Sequence, residues 1–194
     1  DRFRRTSWQR YLERLKHVLN PVDDRRVGAS RKEKSDNLIL VAQHCRAAVA
    51  ALTHRARGST FNAINRFQDV INGYPDSDLW ADAWTQKAFT QWAWDDNYAG
   101  AVDTLLKFAE AAPENPAVPG ALFQAGRIAE RGRDLGRAAA IWASLNANYP
   151  DAPEAPEGAF FAGITLYREG NYASAVGQFE IAANHSLATA ERRA

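Results

Sequence analysis

Apolar residues recur at every third or fourth position in run after run, and Pro, Gly, Asn or Asp separates the runs. That period is helical, and the abundant alanine favours the same reading. The pattern predicts helices over 2–19, 36–56, 60–73, 78–94, 97–112, 117–131, 135–148, 154–169 and 172–185. In the first, Phe3, Trp8, Tyr11, Leu12, Leu15 and Leu19 share one stripe beneath a coat of Arg and Lys, and Pro21 ends it. Residues 21–35 (PVDDRRVGASRKEKS) are polar and charged and read as an exposed linker. The punctuation supports the later helices. Gly170-Asn171 supplies a left-handed stop followed by an N-cap, and Asp95, Asp96 and Asn97 do the same before 97–112. Ser59 and Thr60 are expected to cap 60–73.

The runs repeat. Ala88, Ala125 and Ala162 are spaced by 37 residues, as are Ala101, Ala138 and Ala175, and Pro113 and Pro150. Phe123 pairs with Phe160, Gly126 with Gly163, and Tyr98 with Tyr172 two periods on. One unit upstream the spacing is 38, from Ala63 to Ala101 and from Pro75 to Pro113. A period of this length marks stacked helix pairs rather than one globular core. Each second helix ends in a proline-containing tail, Tyr74-Pro75-Asp76, Ala112-Pro113-Glu114 or Tyr149-Pro150-Asp151, which stops the helix and sets the turn to the next unit.

Within a unit the pattern resembles the tetratricopeptide (TPR) repeat, with small residues midway in both helices, an aromatic in the second and a terminal proline. Gly163, Tyr172, Ala175, Phe179 and Ala182 carry the likeness in the last unit. Gly126, Ala138, Trp142 and Pro150 carry it in the one before, with Leu145 in place of the final Ala. Ala88, Ala101 and Pro113 continue it, although Leu105 and Phe108 depart, and Ala63, Phe67, Val70 and Pro75 mark the first unit. The likeness covers 36–185. It implies an all-α, right-handed superhelical solenoid of about four helix pairs, preceded by the separate basic helix at 1–20 and the charged linker at 21–35. Residues 186–194 (SLATAERRA) read as the start of a further helix, cut short. The Tyr-Pro-Asp turns resemble those of bacterial extracytoplasmic TPR proteins, among them envelope assembly factors and the non-catalytic superhelical region of soluble lytic murein transglycosylases. The catalytic Glu-Ser motif of that enzyme family does not occur in this chain.

Charge adds one asymmetry. The net charge is +1, so no global field favours nucleic acid or membrane, and no nucleic-acid partner is expected. Residues 1–34 nevertheless hold eleven Lys/Arg against five acids. That segment either contacts an anionic lipid or polymer or is a solvated helix and linker. No stretch approaches the ~18 apolar residues of a membrane span. Cys45 is the sole cysteine, so an internal disulfide is excluded and the compartment stays open between periplasm and cytoplasm. Met is absent and the chain starts at Asp1, which reads as a processed or excised piece of a longer protein.

Reaction chemistry is thin. His17, His44, His54 and His185 show no ligand spacing, so no metal and no cofactor is expected. Asp95-Asp96 and Glu154/Glu157 fall at helix starts, where carboxylates favour the helix dipole over acid–base work. No phosphate loop and no nucleophile motif is present, so the chain is read as non-catalytic. TPR arrays bind along a concave face built from first helices. Aligned on the Ala88, Ala125 and Ala162 column, that face would show Gln86, Thr90 and Trp94, then Gln124, Arg127 and Arg131, then Phe161, Ile164 and Arg168. Arginines flanked by aromatics suit a peptide carboxylate or an acidic or sugar polymer, and the alternative is a solvated charged surface. The resemblance therefore implies a scaffold for a protein or peptide partner in a bacterial envelope assembly. The rival reading is the non-catalytic arm of a lytic transglycosylase, with peptidoglycan as partner, and a third is an accessory subunit of a larger complex.

Overall fold

The computed structural model describes residues 59–187. The expected basic helix, the charged linker, the helix at 36–56 and the segment 188–194 lie outside the described residues. Among the described residues seven α-helices follow one another: α1 (Thr60–Gly73), α2 (Trp80–Trp94), α3 (Tyr98–Ala111), α4 (Val118–Arg131), α5 (Leu135–Asn148), α6 (Ala155–Arg168) and α7 (Tyr172–Asn184). No strand occurs among the described residues. α1 and α5 have the bounds expected from the pattern, and the others differ by one or two residues. The start of α2 shifts because Leu79 is buried but sits in a turn, where the Trp80 N–H donates to Ser77 O at 2.9 Å. Contacts divide the chain into two compact units, 1–87 and 88–194.

In the first unit, α1 buries Ala63, Phe67, Val70 and Ile71 along one stripe. The Trp80 indole N–H donates to Ile71 O at 2.9 Å, and Lys87 Nζ donates to Gln68 Oε1 at 2.6 Å, which ties α2 to α1. Ser59 occupies the N-cap position, but its side chain bonds no helix N–H. Its hydroxyl instead accepts from Asn62 Nδ2 at 2.8 Å, so the expected side-chain cap is replaced by a contact one turn into the helix.

In the second unit each helix from α3 to α7 packs on the next, as in a helical repeat solenoid. The alanine columns explain the close packing. Ala88, Ala125 and Ala162 are buried, and so are Ala101, Ala138 and Ala175. Small side chains let helix axes approach, and aromatics fill the space beside them. Phe123, Trp142, Phe161, Phe160 and Phe179 form a continuous chain of ring contacts with centroids 5.3–6.4 Å apart. Each large buried side chain here contributes about 1.5–3 kcal/mol by leaving water.

The turns repeat as faithfully as the core. Asp96, Arg133 and Gly170 all have positive φ (49°, 65° and 80°). Each is followed by an N-cap: Asn97 accepts from the Gly100 N–H, Asp134 from the Arg137 N–H and Asn171 from the Ser174 N–H. The proline turns are built alike. Tyr149 N–H donates to Leu145 O, Ala152 N–H to Tyr149 O and Ala155 N–H to Ala152 O, and the same three bonds run through 108–118. Neighbouring turns are also linked, since Tyr149 Oη donates to Pro113 O at 3.1 Å and His185 Nε2 lies 2.7 Å from Pro150 O.

Candidate functional site

The first helices of the second unit present a cationic and aromatic face. α4 carries Gln124, Arg127 and Arg131 on one side, at the three- and four-residue intervals that align side chains on a helix. The guanidinium of Arg127 sits 5.3 Å from the centroid of the Phe161 ring on α6. The guanidinium of Arg131 sits 4.9 Å from the Trp92 ring at the end of α2. Each such stack contributes about 0.5–1 kcal/mol at an exposed site and leaves the N–H edges available to an anion. Among the described residues neither guanidinium has a carboxylate partner. Arg168 differs, because its Nη1 bonds Glu130 Oε1 at 2.6 Å. The stripe along α4 and α6 thus carries three arginines, of which Arg168 alone is paired with a carboxylate among the described residues.

The other expected residues are placed as follows. Gln124 is exposed, Ile164 is half-buried beside Phe161 in the stripe, and Trp94 is exposed at the end of α2. Thr90 is fully buried and Gln86 is 9% exposed, so these two lie beneath the surface rather than along it. Gln86 also belongs to the first unit. The cause is the composition of α2: Trp84, Ala88, Thr90 and Gln91 are all buried, so the helix is covered on several sides and its polar residues share in the burial. Gln91 is satisfied there by the Thr104 hydroxyl, which donates to its Oε1 at 2.8 Å.

Two participants escaped the sequence reading, Trp92 and Glu130. The link between Glu130 and Arg168 spans 38 residues, close to the repeat length, and a search for opposite charges at that separation would find it. Trp92 gives no such signal, because its ring reaches Arg131 from a different helix rather than along one stripe.

A concavity lies where α3 and α5 end, lined by Leu106, Glu110, Glu114, Leu122, Asn148 and Tyr149. The acidic side chains in its lining, Glu110 and Glu114, are opposite in sign to the arginine face. Among the described residues no group of three His, Cys, Asp or Glu is placed to hold a metal ion. No described helix is long and apolar enough to cross a membrane.

No curated protein matches this chain. Residues 120–152, which run through α4 and α5 to the proline turn, match the tetratricopeptide repeat family model and so support that repeat family for the chain.

Proposed function

We propose that this chain is a protein-interaction scaffold that uses the α4–α6 face to hold a carboxylate-bearing segment of a protein partner. Helical repeats of this type build extended binding surfaces and are typically non-catalytic. The observation that carries the reading is the pair Arg127 and Arg131, each stacked on an aromatic ring and neither joined to a carboxylate among the described residues. Arginine held in that way is pre-organised for a planar anion, and less side-chain entropy is lost on binding. Trp94, Gln124, Phe161, Ile164 and Arg168 complete the proposed contact surface. The proposed setting is a bacterial envelope assembly, on the likeness of the Tyr-Pro-Asp turns alone.

The test is a titration with three probes: a Glu-rich peptide with a free C-terminus, the same peptide with Gln for Glu and an amidated end, and soluble peptidoglycan fragments. The acidic peptide should bind. Replacing Arg127 and Arg131 together by Ala should weaken it at least ~10-fold, since a charge-assisted hydrogen bond contributes about 1.5–3 kcal/mol. The melting temperature should barely move. Equal affinity of the double variant would place the site elsewhere. Preference for the glycan fragments would favour the peptidoglycan-binding arm.

A further inference from the structure

α7 shows an unusual second face. Ala175 and Ala182 are buried, and Phe179 turns the same way, toward Gly163. The opposite side carries Ala173, Val176, Gly177, Glu180 and Asn184, flanked by Tyr172 and Ile181. Val176 is 55% exposed, Tyr172 60% and Ile181 40%. The repeat shows what this means. The residues one and two periods before Val176 are Ala139 and Val102, and they are 4% and 1% exposed. In those units the following helix packs on the second helix: α4 on α3 and α6 on α5. The surface around Val176 therefore continues an interface that the molecule already uses twice.

The sequence of this face is also complementary to itself in reverse. If two copies of α7 cross antiparallel about a point midway between Val176 and Gly177, Tyr172 meets Ile181 of the other copy. Val176 meets Gly177, whose missing side chain leaves open space. Glu180 meets Ala173. The two Glu180 carboxylates then lie about 10 Å apart along the axis, from 1.5 Å of rise per residue, which is about one Debye length at 0.1 M salt. The larger apolar side chains face apolar groups, and Glu180, the one carboxylate of α7, faces a methyl group and is kept from its like.

We propose that α7 is an isologous docking surface for a second copy of this chain, with the twofold axis passing between Val176 and Gly177. An isologous contact closes at the dimer.

Sedimentation equilibrium on the 194-residue chain tests this, under reducing conditions so that Cys45 cannot link copies. A reversible monomer–dimer equilibrium in the micromolar range is expected. Val176→Asp places two carboxylates beside the axis and should raise the dissociation constant at least ~10-fold while leaving the helical circular dichroism and the melt of the monomer unchanged. Ala173→Lys sets a cation opposite Glu180 and should tighten the dimer severalfold at low salt. A chain that stays monomeric up to ~100 µM, where a contact of ~10 µM affinity would be mostly formed, overturns the proposal. So does open-ended growth, a dimer indifferent to Val176→Asp, or an Ala173→Lys variant that does not tighten.

Discussion

Trp142 lies across the helix that bears Gly126, and its indole N–H donates to Phe123 O at 3.1 Å. A Cβ at position 126 would overlap the indole Nε1 and Cε2 and meet Cδ1 at 2.7 Å. One repeat later, Phe179 covers Gly163 in the same way, its Cδ1 lying 2.6 Å from the site of a Cβ. The glycine is thus a packing surface for the aromatic ring of its partner helix. Gly126→Ala gains about 1 kcal/mol in helix propensity but must displace a fully buried ring, and overpacking of that kind costs ~1–3 kcal/mol. A net loss of stability is expected in urea unfolding. Gly163→Ala should lose less, because Phe179 is only half-buried and can give way. A Gly126→Ala variant as stable as the parent would contradict this account of the crossing.

The alanine columns predict a second effect. Ala138 is fully buried on α5, so a Leu at that position must displace packed neighbours. Ala138→Leu should destabilise by ~1–3 kcal/mol. Trp142→Ala, which removes the largest fully buried side chain and its hydrogen bond, should cost ~3–5 kcal/mol. Chemical denaturation that ranks Ala138→Leu with the parent would count against the crossing register.

The limits of the sequence reading follow from the same packing. Helical period and proline turns are local, so α5 could be placed residue for residue from its apolar spacing and the Tyr149-Pro150 stop. The columns of Ala and Gly reveal contacts because each helix pair is built alike. The functional face is harder to read. It depends on which side of each first helix reaches solvent, and α2 breaks the rule that serves α4 and α6: Thr90 sits in register with Arg127 but is buried. The stack of Arg131 on Trp92 joins side chains from different helices and different columns. Periodicity along one strand of sequence carries no information about such a pair.

Backbone conformation offers a third test. Arg133 holds a φ of 65° at the place where the next unit has Gly170. A non-glycine residue in the left-handed region carries roughly 1–2 kcal/mol of strain. Arg133→Gly should therefore stabilise the protein by up to ~1 kcal/mol, since part of the gain is lost to the added freedom of the unfolded chain. Asp134→Ala removes the cap on Arg137 N–H and should cost ~0.5–2 kcal/mol. Thermal melts of the two variants should move in opposite directions, and a destabilised Arg133→Gly would refute the strain argument.

Glu130 holds Arg168 at 2.6 Å, with the two side chains 26% and 50% exposed. A pair that open to water contributes ~0–1 kcal/mol, so Glu130→Gln should leave stability within ~1 kcal/mol of the parent. Its effect on binding should be larger. The carboxylate both neutralises one charge of the arginine face and occupies the guanidinium best placed to extend the surface along α6. Without it, Arg168 joins Arg127 and Arg131 as a donor to the ligand. The variant should bind the Glu-rich peptide more tightly by ~3–10-fold at low ionic strength, and the advantage should shrink near 1 M salt, where the screening length falls to about 3 Å. The Gln-substituted, amidated peptide should show no such gain. Unchanged or weakened affinity for the acidic peptide would mean that the anion is held away from the α4–α6 face.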